Sequence, residues 1–447
     1  MPPVHGDPKF LTQFEAIRQA YEGTGLTPAV LYDSSNAPLS VYIDDELLID
    51  PDDLGHVLDA VPQAQEAPSR MQGPPNQVPP PRGLPGRRGR PMLVKLNGGR
   101  DALEMRERTG RRASLNHLVS IAPTGTCPAD EPAPAGHPRN PLSNPDPAAG
   151  EGVGILVVDT GLVPVSGFPS RLPPDVSGRA DVPENAQLPG IMREYAGHGS
   201  FIAGVLTAVA PAADVFVSNA LTYAGALDEH TLGTVLLDVL DHRGWPDIIS
   251  LSAGAHTADD VPLAGLEEFF RLLGEHPDTT LVACAGNHGV NRTYYPGGTD
   301  APGVVCVGAL REDGAGLACF SNHGPWVDVY APGERLVSAF FNGTYEYRDP
   351  SFGYCRYYPS PPLYQGCTCV TAPEKGTRVD FTTGLARWSG TSFSTPIVAG
   401  MMAARMSKTK ESSREAAAAL LSGAGRVESA GRVLLPTGWT PTYGWAR

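Results

Sequence analysis

Three residues of the types that act together in nucleophilic catalysis lie in three separate short motifs. Asp159 ends the apolar run 155–158, His198 lies between two glycines, and Ser392 lies in the segment 389–396. A serine hydroxyl is a weak nucleophile until an imidazole accepts its proton, and a buried carboxylate holds that imidazole in the required tautomer. The residue types predict Ser392 as nucleophile, His198 as general base and Asp159 as the group that orients His198.

A fourth motif places Asn287 shortly after the apolar run 282–285. Hydrolysis through a tetrahedral intermediate needs hydrogen-bond donors aimed at the developing oxyanion. The side chain of Asn287 and the backbone N–H of Ser392 are predicted to supply them. Each residue alone also has a structural interpretation, since Asp159 and Ser392 could be caps and His198 a surface residue. The four motifs together favour catalysis.

The chain order Asp159, His198, Ser392 resembles that of the subtilisin family of serine peptidases. The resemblance covers residues 150 to about 432. It implies that these three residues form the triad and that Asn287 belongs to the oxyanion hole. It also implies a three-layer α/β domain with a mainly parallel sheet. The related sedolisin family would place Glu and Asp where this chain has His198 and Asn287.

The resemblance also implies where a substrate lies. Ser252, Ala253 and Gly254 resemble the strand that pairs with the substrate backbone, and the loop after Asn287 borders the pocket for the residue before the scissile bond. Tyr294 in that loop predicts a shallow, apolar pocket that favours uncharged side chains of small or moderate size.

Periodicity independently predicts the same fold class for residues 150–435. Short runs rich in Val, Ile and Leu alternate with helix-like segments, which is typical of a parallel sheet covered by helices on both faces. The interval between Asn287 and Ser392 is longer than the resemblance implies, and we place the extra residues in an insertion at 342–381. Residues 436–447 are predicted to form a C-terminal tail.

The chain ahead of this domain predicts two small structured segments and two linkers. Residues 1–61 are predicted to form a small α+β unit, because apolar residues recur at helical spacing ahead of a hairpin pattern around 33–36. Residues 62–91 contain nine prolines and 123–149 a similar density, which favours extended linkers.

Residues 92–122 between the linkers have a strand, helix, strand pattern. Two hypotheses stay open for their contact with the catalytic domain. The segment is either a removable inhibitory prosegment that adds a strand to the substrate-binding edge, or a strap that only packs against the domain.

Composition bears on the partners. With 48 acidic against 34 basic residues the formal net charge is −14, which argues against binding to nucleic acid or to an anionic membrane. The arginines at 82, 87, 88 and 90 form a basic run, which is more typical of a solvated linker or processing site than of a DNA contact. Neither a signal peptide nor an apolar run long enough to span a membrane is visible, and we expect a cytoplasmic protein.

The seven cysteines do not predict a metal centre. Cys284 and Cys306 lie in apolar runs and are expected to be buried, inert thiols. Cys355, Cys367 and Cys369 could form a disulfide, whereas a zinc site lacks a clear fourth ligand. We therefore expect no metal and no cofactor.

These observations predict a serine endopeptidase that hydrolyses peptide or protein substrates through an acyl-enzyme on Ser392. Two alternatives remain from other functional classes. The domain could be a catalytically silent scaffold, or the protein could recruit a partner through its N-terminal unit.

Overall fold

The computed structural model describes residues 8–34, 36–61, 64–66, 91–96, 101–121, 131–137, 140–163, 172–173, 175–182, 184–185, 188–348 and 374–440. The predicted linker 62–91 lies almost entirely outside these ranges. So do the arginines at 82–90, Cys127, the three cysteines of the insertion and the last seven residues.

The N-terminal region contains three helices and five strands in the described residues. In chain order they are α1 (Pro8–Ala20), β1 (Pro28–Tyr32), β2 (Pro38–Ile49), α2 (Leu54–Ala60), β3 (Ala64–Glu66), β4 (Met92–Leu96), α3 (Ala102–Arg108) and β5 (Ala113–Ser120). The predicted hairpin is present as the antiparallel pair β1 and β2. Its turn contains Asn36 at a φ of 65°, a left-handed conformation that asparagine tolerates well.

These strands form one sheet that crosses the boundaries placed in the sequence. The order is β12 (Ala226–Asp228), β5, β2, β4 and β3, with β1 also paired to β2, so 8–61 and 92–121 share a sheet instead of forming separate units. Helix α1 packs against this sheet through Phe10 and Ile17, and Tyr21, which follows the helix, is buried in the same cluster. The edge strand β12 belongs to the following domain.

The following domain contains the remaining elements. In chain order they are β6 (Ala133–Pro134), β7 (Gly154–Asp159), β8 (Val176–Gly178), β9 (Glu184–Asn185), β10 (Leu188–Met192), α4 (His198–Val209), β11 (Asp214–Asn219), β12 (Ala226–Asp228), α5 (Glu229–Arg243), β13 (Ile248–Leu251), α6 (Glu267–Glu275), β14 (Thr280–Cys284), β15 (Val304–Leu310), β16 (Val329–Pro332), β17 (Leu336–Ala339), β18 (Gly343–Glu346), β19 (Arg378–Phe381), β20 (Leu385–Trp388), α7 (Thr391–Thr409), α8 (Ser413–Ser422), β21 (Gly425–Val427) and β22 (Gly431–Val433).

The central sheet confirms the predicted fold class. Its order is β21-β22-β16-β15-β14-β13-β7-β11-β8, and all its pairs are parallel except β21 with β22. The chain leaves β7 toward β11 on one side and later returns to β13 on the other. Such a reversal of strand order opens a crevice at the carboxyl ends of the strands, where open α/β sheets place their ligands.

Two apolar layers cover this sheet. Ile155 and Val157 of β7 pack in the same cluster as α4 and α7, whereas the alternating Leu156 and Val158 pack with α5 and α6. Because successive side chains of a strand point to opposite faces, both faces of β7 are buried. The domain therefore has three layers.

The described residues of the predicted linker 123–149 and of the insertion contact the domain. The Glu131 carboxylate accepts the Tyr345 hydroxyl at 2.8 Å, and the Asn144 amide donates to the Val209 carbonyl at 2.8 Å. The described residues of the insertion form the antiparallel hairpin of β18 and β19.

Candidate active site

Asp159 and His198 form a buried pair at the crevice. Asp159 ends β7 and His198 begins α4, so the crossover that follows β7 brings both to the same edge of the sheet. His198 Nδ1 lies 2.9 Å from each carboxylate oxygen of Asp159, whose side chain is fully buried. Since the carboxylate accepts at Nδ1, the proton of a neutral imidazole resides there.

The second nitrogen of His198 keeps its lone pair available. Among the described residues no hydrogen bond to Nε2 is found. Trp388 and Phe393 flank the imidazole, with ring centroids at 5.3 and 5.2 Å, which fixes the ring plane by packing. The arrangement leaves Nε2 as the basic atom of the pair.

Ser392 lies in the first turn of α7, next to Phe393. Ser252, which follows β13, donates its hydroxyl to the Ser392 carbonyl at 2.8 Å, and the Ser392 hydroxyl donates to the Ser252 carbonyl at 3.3 Å. No hydrogen bond joins the described side chains of Ser392 and His198 in this structure. Catalytic hydrogen bonds of a ligand-free site often form only once substrate binds.

Asn287 is held by the start of the same helix. Its side-chain oxygen accepts the backbone N–H of Thr391 at 2.7 Å and the Thr391 hydroxyl at 2.8 Å. This fixes which end of the amide faces α7 and leaves Nδ2 without a hydrogen bond among the described residues. The amide can therefore donate to an oxygen that develops beside Ser392, as an oxyanion hole requires.

A strand of the N-terminal region lies in the crevice beside these residues. Ser120 and Gly254 exchange both backbone hydrogen bonds, at 2.9 and 3.1 Å, and Ile121 donates its N–H to the Gly225 carbonyl at 2.9 Å. On the other side, β5 pairs with β12 in antiparallel register, Ala226 opposite Ser120. Residues 118–121 thus occupy a position between two strand segments of the domain.

Gly225 leaves space for that strand, and Tyr294 forms a hydrogen bond with it. A Cβ at Gly225, whose φ is +74°, would collide with the Ile121 side chain. Tyr294 lies beneath Gly254, and its buried hydroxyl is 2.8 Å from the Gly254 carbonyl and 3.1 Å from the Ser120 carbonyl. Burial raises the pKa of Tyr294 well above its usual value.

The structure brings the four predicted catalytic residues and Ser252, Ala253, Gly254 and Tyr294 to one region. Sequence reasoning did not select the opposite edge of the crevice, residues 225–228, because this four-residue segment belongs to no recognisable motif. It also did not select Asp181, a fully buried carboxylate described below.

The thiols and the possible metal ligands of the described residues form no further centre. Cys284 and Cys306 are buried, and burial raises the pKa of Cys284 to about 12. Within the described ranges no group of three or more His, Cys, Asp or Glu side chains could hold a metal ion. In the same part of the chain, no helix has the length and apolar character needed to cross a bilayer.

Comparison with known proteins identifies the family that shares these motifs. Residues 150–445 match the Subtilase family. A thermophilic serine proteinase of Bacillus sp. (strain AK1) is 30% identical over 206 residues, which is 43% of this chain and 47% of that protein. An intracellular serine protease of Paenibacillus polymyxa is 30% identical over 211 residues, 44% of this chain and 61% of that protein.

A solved structure is also similar. The crystal structure of a cold adapted subtilisin-like serine proteinase superposes with a TM-score of 0.46 at 19% identity, covering 70% of this chain and 98% of that one. The chain spans about half the length of the curated relatives it matches.

Proposed function

The chain belongs to the subtilase family over residues 150–445, and from this premise we propose that it is a serine endopeptidase. In the proposed reaction His198 Nε2 takes the proton of the Ser392 hydroxyl as Oγ attacks the peptide carbonyl carbon. Asp159 stabilises the resulting imidazolium. Asn287 Nδ2 and the backbone N–H of Ser392 donate to the oxyanion. The leaving amine takes the proton from His198, and water then hydrolyses the acyl-enzyme.

The observation that carries this proposal is the buried Asp159–His198 pair, whose Nε2 has no hydrogen bond among the described residues and whose imidazole packs on Phe393 in the first turn of α7. A catalytically silent scaffold would not need an imidazole fixed in one tautomer with its second nitrogen unused. A fluorophosphonate probe distinguishes the two. We expect covalent labelling of wild type at Ser392 and none of Ser392→Ala. If neither the intact chain nor a chain cut between 123 and 149 is labelled, the scaffold alternative stands.

We further propose that substrates bind as an extended strand where residues 118–121 lie. Val119 and Ile121 are buried in the same apolar cluster as Leu227 and Leu251, whereas their backbone groups pair with the domain. Backbone pairing supplies affinity and alternate side chains supply specificity in this mode of recognition. Peptides with aliphatic residues at these two alternate positions are therefore expected to be preferred.

The residue before the scissile bond is expected to be uncharged and of small or moderate size. Tyr294 fills the space beneath Gly254 and its hydroxyl is already bonded, so it offers no negative charge to a basic side chain. A peptide library read by mass spectrometry tests this directly. Cleavage chiefly after Lys or Arg would contradict it.

The same contact supports a self-inhibitory role for the N-terminal region. A strand that pairs with both edges of the crevice excludes a substrate strand from it. We expect wild type to be cut between Pro123 and Gly150, whereas Ser392→Ala stays at full length. If a folded protein that starts near Gly150 is no more active than the full chain, residues 92–121 are a strap rather than an inhibitor.

A further inference from the structure

Asp181 links the two motifs that carry Asp159 and His198. Its side chain is fully buried. One carboxylate oxygen, Oδ2, accepts the Thr160 hydroxyl at 2.9 Å and the Gly197 backbone N–H at 2.8 Å. Thr160 directly follows Asp159, and Gly197 directly precedes His198. A single oxygen atom therefore joins the end of β7 to the beginning of α4.

The same network reaches the other side of His198. The Thr160 hydroxyl oxygen accepts the backbone N–H of Gly199 at 3.2 Å. Gly199 lies so close to the loop after Thr160 that a Cβ there would collide with the Gly161 carbonyl. The N-cap residue of α4, Gly197, has no side chain to bind the first N–H groups of the helix. Asp181 and Thr160 supply that capping from outside the helix.

The second carboxylate oxygen fixes the orientation of Asp181. Oδ1 accepts the Val182 N–H at 2.7 Å and the Arg193 guanidinium, whose Nη2 is also 2.7 Å away. Arg193 in turn donates to the Thr222 carbonyl at 2.9 Å. A buried carboxylate persists when charge and hydrogen bonds compensate its desolvation, and here four donors do so.

We propose that Asp181 is a positioning residue for the Asp159–His198 pair. It contacts neither reacting atom, and it acts by holding the two backbone segments from which the pair projects. The inference rests on the proposed peptidase function only for its kinetic consequence. An amide at position 181 would direct two N–H groups toward existing donors, so it cannot accept all four hydrogen bonds.

The first test compares Asp181→Asn with Glu411→Gln in the full chain. Glu411 also forms a two-point ion pair, with Arg405 at 2.6 and 2.7 Å, but contacts no site residue. We expect Asp181→Asn to lower kcat by about 10- to 100-fold with KM changed by less than about twofold, since small displacements of catalytic groups have effects of this size. Glu411→Gln should keep the wild-type kcat. A folded Asp181→Asn protein with wild-type kcat would overturn the proposal.

Thr160 provides a second test that does not alter the buried charge. Thr160→Val removes the hydroxyl that joins Asp181 to Gly199, whereas Thr160→Ser retains it. We expect the valine variant to lose about tenfold in kcat and the serine variant to recover most of that loss. Equal kcat in the two variants would overturn the proposal even where Asp181→Asn does not fold.

A spectroscopic readout separates this inference from the peptidase assignment. The Nδ1 proton between His198 and Asp159 is expected to give a low-field ¹H NMR resonance that is absent from His198→Ala. It should persist in Glu411→Gln and shift or broaden in Asp181→Asn. If wild type hydrolyses no peptide, the proposed function fails while this comparison still holds. An unchanged resonance in Asp181→Asn would show that Asp181 does not position the pair.

Discussion

The described part of this molecule contains two buried carboxylate–imidazole pairs, and they differ at one nitrogen. In the crevice, His198 Nδ1 faces Asp159 and Nε2 has no hydrogen bond among the described residues. At the contact between β5 and α5, His117 Nδ1 lies 2.7 Å from the Glu229 carboxylate, but its Nε2 accepts the backbone N–H of Ala258 at 3.3 Å. Both imidazoles are almost fully buried.

A carboxylate partner is therefore not sufficient for a histidine to act as a base, because the second ring nitrogen must also be free to accept a proton. Glu229 also accepts the His117 and Gly265 backbone N–H groups, at 2.9 and 2.8 Å. Both ring nitrogens of His117 and both carboxylate oxygens of Glu229 have hydrogen-bond partners here. The His117 pair therefore joins the N-terminal region to the following domain. The His198 pair has hydrogen bonds among the described residues only at Nδ1, and its ring packs on Phe393, the residue after Ser392. Reactivity requires the unsatisfied nitrogen and a nucleophile within its reach.

Replacing each histidine by alanine should give the largest difference in activity between the two pairs. His198→Ala is expected to lower kcat by about 10⁴- to 10⁶-fold, because Ser392 loses its proton acceptor. His117→Ala should not lower kcat, since it weakens only the docking of β5. Peptide hydrolysis by both full-length variants checks this. A loss in His117→Ala as large as in His198→Ala would mean that the interface pair takes part in the reaction.

Asn287→Ala tests whether the open end of the amide serves the oxyanion. We expect kcat to fall by about 10²- to 10³-fold, the usual effect of removing one such donor. The thermal unfolding midpoint should be recorded alongside, because the Asn287 oxygen also binds Thr391. Full kcat in the variant, on a substrate that wild type cleaves, would remove Asn287 from the oxyanion hole.

A third imidazole shows what burial does without a carboxylate partner. Burial lowers the pKa of His256 to about 4, although its Nδ1 donates to the Thr293 carbonyl at 2.8 Å. In the unfolded chain the value is about 6.5, so between pH 6.5 and 4 only the unfolded state gains this proton. The free energy of unfolding should therefore decrease as the pH is lowered from 6.5 to 4, by up to about 3 kcal/mol.

Urea unfolding at pH 7 and pH 4.5 measures this effect. The loss of stability on acidification should be smaller in His256→Gln than in wild type, because the variant lacks the titrating group. His256 lies at the contact with the N-terminal region, where the Ser40 hydroxyl binds its carbonyl at 2.6 Å. Equal losses in both proteins would show that His256 does not couple folding to pH.

The pH dependence of the rate is the smallest of these effects and identifies the active pair. Only a neutral His198 can accept the Ser392 proton, so kcat/KM is expected to fall reversibly when the enzyme is assayed in acid. His117→Gln should show the same profile as wild type. A flat wild-type profile from pH 5 to 9 would exclude His198 as the general base.

The sequence alone determined the fold class of residues 150–435 and selected Asp159, His198, Asn287 and Ser392 at the crevice. Both depend on local information. Alternating apolar runs specify strands and helices, and Asp159, His198, Asn287 and Ser392 each lie at the end or the start of such an element. Because the carboxyl ends of parallel strands meet at one edge, the positions of these residues in their motifs already implied that they converge.

Only the tertiary structure decided how the N-terminal region is organised. The sequence placed 1–61 and 92–122 in different units, because a proline-rich stretch separates them along the chain. The sheet joins them, since β5 pairs with β2 on one side and with β12 on the other. Strand partners distant in sequence are chosen by backbone hydrogen bonds and by packing, and the pattern of either strand alone does not name its partner.

The tertiary structure likewise decided which buried polar residues matter to the pair. Asp181 lies in a segment without apolar periodicity or a recognisable motif, and its contacts with Thr160 and Gly197 exist only after the crossover has folded. The same holds for the hydrogen bonding of the Nε2 atoms of His117 and His198, which no sequence pattern indicates. What separates them is the single backbone N–H of Ala258, placed there by the fold.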